Sequence, residues 1–392
     1  MNIRALIVGG GIGGLAAALA CSRAGAQIEL FERFEELTEV GAGIQLGPNV
    51  VKILYEWGLS DGVSRVAAFP DRLQIRSALT GTELGVLRLG KTTLQRYGYP
   101  YAAIHRADLH ALLLKAVTQR GDVQLRANSL VSGFLQHDDG VTVHTADGRD
   151  ARGDVLVGAD GLWSGVRQQL LNDGLPRATG HLAYRGLVRQ AELPEHLRSQ
   201  QITAWLGPRL HMVQYPVRGG EWLNVVAIVE GRMYGDAQYW DHTANAVQLH
   251  QLMAGTCRPM LDLIHAIENW RLWALSIRTP MRGSGEHTKG RVALLGDAAH
   301  PMLPYLAQGA GMAIEDADEL GRSLAASGAN VPSALSNYAE RRWRRNARVQ
   351  ARAIRNGKIF HLSGPVRRAR DLSMKLLGER LLDLPWLYRG PR

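Results

Sequence analysis

Cysteine is nearly absent from the chain: Cys21 and Cys257 are the only two among 392 residues. Two thiols far apart give neither a disulfide framework nor a paired zinc spacing, so no metal centre is expected. No stretch is apolar for long enough to span a bilayer. The N-terminus lacks a charged n-region, a long h-region and a cleavage site, and runs almost at once into Ala5-Leu6-Ile7-Val8. A cytoplasmic protein without a leader is therefore expected. Internal repeats and low-complexity segments are lacking too. So is a charge excess over most of the length. The formal net charge is +10, but residues 341–392 alone carry 15 Lys/Arg and 3 Asp/Glu. The first 340 residues thus sum to about −2, which argues against nucleic acid as a partner of the main body. The basic run Arg341-Arg342-Trp343-Arg344-Arg345 reads as a solvated helix face. An acidic partner, a membrane surface or a subunit contact, as in a homodimer, stays open for it.

What is present is a large apolar fraction, 46%, enough for two domains or one domain with a big insertion. Residues 3–8 read as a buried strand, 12–24 as a helix and 28–31 as a second strand, the opening of a βαβ unit. Helices are expected at 49–58, stopped by Gly58, and from His105 to Arg120, closed by Gly121. Short strands fill 123–145. From 182 to 229 four β-rich segments bounded by Gly or Pro predict an antiparallel sheet in a second lobe. After 290 the α/β pattern returns and ends in long helices. The fold class is α/β: a Rossmann-like nucleotide domain with an inserted antiparallel-sheet substrate domain and C-terminal helices. The expected division gives 1–73, 101–178 and 281–340 to the nucleotide domain, 74–100 and 179–280 to the substrate lobe, and 341–392 to the basic helices.

Gly9, Gly11 and Gly14, with Gly13 between them, form G-x-G-x-x-G between a strand and a helix, the context this motif requires. Gly9 permits the tight turn, Gly11 lets a pyrophosphate approach the backbone, and Gly14 lets helix and sheet pack closely. The helix N-terminus then offers free N–H groups to the phosphates. Glu32 ends the second strand, 18 residues after Gly14, and is placed to accept ribose hydroxyls. Arg33 follows it. This motif alone does not separate FAD from NAD, and a simple NAD-dependent dehydrogenase would use nothing else.

Two further motifs make the difference. Asp154 to Arg167 reads strand, turn and helix start, with Asp160-Gly161 at the turn and Ser164 as a helix cap. Gly290 to Pro301 is a buried strand ending in Gly296-Asp297. It leads to a second glycine-rich helix start at Gly309, Ala310, Gly311 and Met312, whose N–H groups could stabilise negative charge on a reduced isoalloxazine.

In order and spacing these three elements resemble the single-component FAD-dependent aromatic hydroxylases, the class A flavoprotein monooxygenases, over essentially the whole chain. Residues 41–49, His105-Arg106-Ala107-Asp108-Leu109 and Tyr184-Arg185-Gly186-Leu187-Val188 are similar to the salicylate hydroxylase and 3-hydroxybenzoate 6-hydroxylase branch. The resemblance implies a glutathione-reductase-type FAD fold. It implies FAD as cofactor, NADH or NADPH as transient co-substrate, and transfer of one oxygen atom of O2 to a phenolic aromatic acid by way of a flavin C4a-hydroperoxide. It gives Arg106 a contact to the ribityl or pyrophosphate portion, with a salt bridge to Asp108 as the alternative. It links Asp160 to both FAD and NAD(P)H, gives Asp297 the ribityl chain, and lets Gly309 to Met312 cradle the ring system. His300 remains open between a functional and a satisfied loop histidine.

A phenolate attacks an electrophilic oxygen far better than a phenol, whose pKa is about 10, judged from tyrosine. A general base therefore helps at neutral pH. His211, Val213 and Tyr215 share one face of a strand, with His211 and Tyr215 roughly 13 Å apart. Spacing alone also fits two residues packed on a sheet. The resemblance makes both catalytic. Arg185 could pair with a substrate carboxylate or be structural. Gln45 is expected near the pocket, and so is Pro304. Related hydroxynicotinate monooxygenases, which hydroxylate with decarboxylation, carry His at the position of Gln45 and Lys-Pro-His at the position of Leu303-Pro304-Tyr305. Both departures lean toward a benzenoid substrate, with the decarboxylative reaction as the alternative.

Overall fold

Runs such as Ala5-Leu6-Ile7-Val8 and Val155-Leu156-Val157 have no polar face to offer water, so they need cover on both sides. The structure, a computed structural model, describes residues 3–37, 41–231, 242–243 and 246–391. It places these runs at the centre of a six-stranded sheet. The order is Thr288–Lys289, Val292–Leu294, Val155–Gly158, Arg4–Val8, Gln27–Phe31 and Val123–Arg126. All pairs are parallel except the first, a hairpin. Successive side chains point to opposite faces. Ala5, Ile7, Ile28 and Leu30 meet the helices Ile12–Arg23, Arg106–Thr118 and Gly309–Ser327. Leu6, Val8 and Phe31 meet a three-stranded antiparallel sheet, Val131–Gln136, Val141–Thr145 and Asp150–Gly153.

The second sheet has eight strands: His242–Thr243, Arg271–Ile277, Arg177–Arg189, Trp222–Glu230, Leu210–Val217, Ile202–Gly207, Arg72–Ser77 and Glu83–Arg88. The antiparallel reading needs one correction. Ile202–Gly207 and Arg72–Ser77 run parallel, because the second of these comes from a distant segment and not from a hairpin. Leu182, Tyr184, Met212, Val225 and Ala227 face the covering helices Ala246–Met253 and Arg258–His265. The opposite face looks toward the six-stranded sheet and the helices that follow residue 330. Two boundaries also shift. His105 ends the strand Ala102–His105, and the following helix spans Arg106–Thr118. That helix closes on Gln119 in ordinary right-handed geometry, so Gly121 is not its stop. Gly58, at φ +83°, does follow the helix Pro48–Glu56 as expected. Among the described residues no helix is long and apolar enough to cross a membrane.

The basic C-terminal run is not the solvated face it was read as. In the 30-residue helix Val331–Phe360, Arg342 has no exposed surface and Arg345 is nearly buried, while Arg341 and Arg344 face solvent. Arg342 donates to Asp316 Oδ1 at 2.8 Å and to Glu315 Oε2 at 2.8 Å. Arg345 grips both oxygens of Glu315 at 2.6 and 2.7 Å. Asn346 and His300 add further bonds to Asp316, and Asn49 adds one to Glu315. The physical reason is composition: two adjacent acids on a buried helix demand cations inside the protein. Burial alone would raise the carboxyl of Asp316, but His300 and Arg342 outweigh it and hold it far below the usual carboxylate range.

Removing one side of such a network strands the other. Arg342→Leu should cost about 3–5 kcal/mol in chemical denaturation. Arg341→Leu, whose guanidinium is exposed although its partner Glu319 is largely buried, should cost less, about 1 kcal/mol. Equal losses would refute the network's role. His287 is fully buried beside it, and burial pushes its pKa down to about 3. The unfolded chain, with a histidine pKa of about 6.5, then binds the proton that the folded chain refuses. His287 should therefore make stability fall by about 1.4 kcal/mol per unit as pH drops from about 6.5 toward 4. Denaturation of His287→Gln across that range should show a shallower fall, and an unchanged slope would rule the histidine out.

Candidate active site

The first glycine turn is built by exclusion. Gly9 leaves its strand at φ +107°, and a Cβ on Gly14 would fall inside the contact shell of the Gly9 carbonyl oxygen. The Gly10 N–H donates to Glu32 Oε2 at 2.6 Å, the Phe34 N–H donates to Glu32 Oε1 at 3.0 Å, and His110 donates to the Gly10 carbonyl at 2.8 Å. Glu32 is thus fixed at the turn. Gly11 caps the helix Ile12–Arg23 without a side-chain bond, and no acid lies in its first turn. Its free N–H groups form an anion site. Arg33 lies outside this cluster, exposed and stacked on the Phe34 ring.

The second motif folds onto itself and onto the third. Ser164 caps the helix Gly165–Leu171 and donates to Asp160, which also accepts from the Val166 N–H at 3.1 Å. Burial raises the carboxyl of Asp160 despite these bonds. Arg167, buried and given no role by sequence reasoning, donates to the carbonyls of Ala298, at 3.0 Å, and Ala299. It therefore holds the loop after Asp297. Asp297 is exposed at the tight turn Gly296–Ala298, whose Gly296 N–H donates to Asp316 at 3.1 Å. His300 is buried against the same Asp316. Gly309, Ala310, Gly311 and Met312 are the first turn of the helix Gly309–Ser327, which has neither a side-chain cap nor an acid there. The capping residue Gln308 is 2% exposed, and its Oε1 has no hydrogen-bond partner among the described residues. Two uncapped helix starts thus offer N–H donors suited to a phosphate-containing ligand, and the Gln308 amide oxygen adds an acceptor for an N–H or O–H of a polar ring system.

The inner face of the eight-stranded sheet supplies the other wall. Strand register puts Ala183, Arg185 and Leu187 beside Ile228, Val226 and Asn224, and these beside His211, Val213 and Tyr215. The nucleotide side docks here through Gly43. The Gly43 N–H donates to Asn224 at 2.6 Å, and its carbonyl accepts the Tyr215 hydroxyl at 2.5 Å. A side chain at position 43 would collide with the Tyr215 ring. Tyr215 therefore joins the two sheets, a task that strand periodicity does not disclose. Gln45, on the same strand Gly43–Leu46, accepts from Tyr101 at 2.8 Å. Arg106 packs its stem against Gly41.

His211 is 2% exposed and sits among Tyr305, Phe360 and His361, with its Nδ1 2.8 Å from His361 Nε2. Burial, then His361 and His181, push it well below the ordinary histidine range, so it is neutral. Pro304 is exposed and starts the turn Pro304–Leu306, which buries Tyr305 against His181. Arg185 is half-buried, with its guanidinium over the Trp273 ring at 4.5 Å. Its Nε has no hydrogen-bond partner among the described residues, and burial and Arg106 lower it to about 10. Sequence reasoning missed His181, His361 and Arg167. Only Arg167 carried a signal, its place inside the second motif.

The profile described as "FAD binding domain" matches residues 2–353. The 3-hydroxybenzoate 6-hydroxylase of Polaromonas naphthalenivorans (strain CJ2) is 37% identical over 390 residues, covering 99% of this chain and 96% of that one. The crystal structure of Klebsiella pneumoniae HpxO complexed with FAD and uric acid superposes with a TM-score of 0.85 at 26% identity, covering 97% and 94% of the two chains. A salicylate hydroxylase substrate complex gives a TM-score of 0.83 at 28% identity, covering 99% and 95%. Asp297→Ala alters an exposed side chain, so the variant should fold normally yet retain flavin about tenfold more weakly, the scale of a charged hydrogen bond. Parent-like retention after dialysis would remove Asp297 from the site.

Proposed function

The chain belongs to the FAD binding domain family and is a flavoprotein monooxygenase, and from this premise we propose that it hydroxylates a phenolic aromatic acid of the 3-hydroxybenzoate or salicylate kind, with NADH or NADPH and O2. The observation that carries the substrate class is Arg185: a half-buried cation with a shielded Nε and no anionic partner among the described residues, on the sheet face that holds His211 and Tyr215. A partly desolvated cation without a partner is unfavourable, and a substrate carboxylate would offset that through paired, charge-assisted bonds.

In this reading the turn that Gly9 opens and the uncapped N–H groups of the helix start from Gly11 through Gly13 to Gly14 hold the FAD pyrophosphate, while the Gly10 N–H is engaged by Glu32. Glu32 holds the ribose, with Arg33 at its edge. Arg106 and Asp297 hold the ribityl chain, and the N–H groups of Gly309 to Met312 face the isoalloxazine. Asp160 shapes the neighbouring turn with Ser164. Bound FAD supplies the two-electron exchange with the nicotinamide and the activation of O2. Arg185 fixes the acid group. Neutral His211, with Nδ1 engaged by His361, accepts the phenol proton at Nε2. Tyr215 orients the ring from the same strand, and Gln45 and Pro304 border the pocket. The apolar Val213, Val226 and Leu303 keep water from the reacting carbon.

The test is a screen of hydroxybenzoates and carboxyl-free phenols, following nicotinamide oxidation and identifying products. Hydroxylated aromatic acid is expected. Reductant consumption without oxygenated product would defeat the reading. Arg185→Gln should raise KM for the acid at least about tenfold and leave a carboxyl-free phenol unaffected; equal loss on both would make Arg185 structural. His211→Ala should lower hydroxylation about 10²–10⁴-fold at neutral pH. Partial recovery is expected as the phenol ionises in solution near pH 10, roughly its own pKa. Unchanged turnover would exclude His211 as the base.

A further inference from the structure

Behind His211 three metal-ligating side chains converge from segments far apart in the chain. His181 and Glu230 are cross-strand partners, and His361 follows the helix Val331–Phe360. One ligand atom from each lies within 4.8 Å of the other two. His361 Nδ1 is buried, has no hydrogen-bond partner among the described residues and stands 3.8 Å from Glu230 Oε1. The backbone holds the segments together: the Arg209 N–H donates to the His361 carbonyl at 3.1 Å, and the Arg209 carbonyl accepts from Glu230 at 3.0 Å. The Arg209 guanidinium holds the other Glu230 oxygen at 2.7 Å and so turns Oε1 inward.

We propose that His181, Glu230 and His361 form a site for one divalent transition ion of the zinc class, and that its occupancy slows hydroxylation. Two imidazoles and a carboxylate, with the fourth position left to water, are a common zinc set. Bonds of about 2.1 Å to a tetrahedral ion need ligand separations of about 3.4 Å, within reach of small side-chain shifts. The outer partners already stand where such a site needs them. A histidine bound through one nitrogen carries its proton on the other and gives it to a neighbour. His181 Nδ1 faces the Tyr305 hydroxyl, and His361 Nε2 faces His211 Nδ1. The ion on His361 Nδ1 thus fixes the proton on its Nε2, and His211 Nδ1 becomes an acceptor. The proton of neutral His211 then sits on Nε2, the nitrogen that must receive the phenol proton. This second part rests on the assignment of His211 as base.

The experiment titrates the flavin-loaded enzyme with Zn2+ alone, in competition with a chromophoric chelator, and repeats it with Glu230→Gln and His361→Gln. One ion per chain is expected, with at least about tenfold weaker uptake in each variant. Absence of stoichiometric uptake, or uptake unchanged in both variants, overturns the site. In parallel, Zn2+ should slow hydroxylation by the parent in proportion to occupancy, while Glu230→Gln keeps its turnover at the same concentration. Full occupancy with undiminished turnover overturns the link to His211. Failure of the functional reading is seen separately, as absence of hydroxylated product before any zinc is added.

Discussion

Glu315 and Asp316 stand next to each other on one helix with no exposed surface, and the rest of the cofactor side is arranged around neutralising them. Arg342 bridges the pair, Arg345 closes on Glu315, and Asn49, Asn346 and His300 take remaining lone pairs. Together the bonds tie three other elements to the helix Gly309–Ser327: the helix Val331–Phe360, the helix Pro48–Glu56 after the strand Gly43–Leu46, and the loop after Gly296-Asp297. Buried ion pairs are weak evidence for stability, since desolvation opposes the attraction. Their effect here is to make position specific, because these four segments must stay together for both acids to remain paired. The Gly296 N–H and His300 share one Asp316 oxygen, so the turn that presents Asp297 is set by a charge that never touches ligand.

The second constraint is the seam between the sheets. Gly43 brings its backbone against Tyr215 and Asn224, and both of its polar groups are satisfied by sheet side chains. A Cβ there would push the walls of the site apart. Arg167 does comparable work between the second and third motifs through the carbonyls of Ala298 and Ala299. The site is therefore rigid on the cofactor side. On the sheet side it carries its uncompensated groups, Arg185 and the neutral histidines, where an anionic aromatic ring would meet them. Rigid support behind a few convergent polar groups is what positioning of a small substrate requires.

Much of this was legible in order along the chain. Gly9 to Gly14, Asp160-Gly161 and Gly296-Asp297 stand at strand–turn–helix junctions, and a phosphate-binding turn demands glycine and a free helix start wherever it occurs. The strand periodicity that put His211, Val213 and Tyr215 on one face held, because pleating fixes alternation locally. The basic C-terminal run was misread for the opposite reason. A charge run shows nothing of the acids it meets, and Glu315 and Asp316 lie upstream on a different helix, Gly309–Ser327. Tyr215 likewise gave no sign of its bond to Gly43, and the parallel pairing of Ile202–Gly207 with Arg72–Ser77 gave no hairpin signal.

By itself, then, the sequence determined the glycine turns at the strand–helix junctions, the α/β class and the residues facing each side of the strands, since these depend on neighbours within a few positions. Only the tertiary structure decided which charges are inside, that His181, His211, His361 and Glu230 share one corner, and that Arg185 stands half-buried without an anionic partner among the described residues. Those outcomes depend on contacts between segments scores to hundreds of residues apart, where burial and electrostatics act through space and leave no local spacing to read.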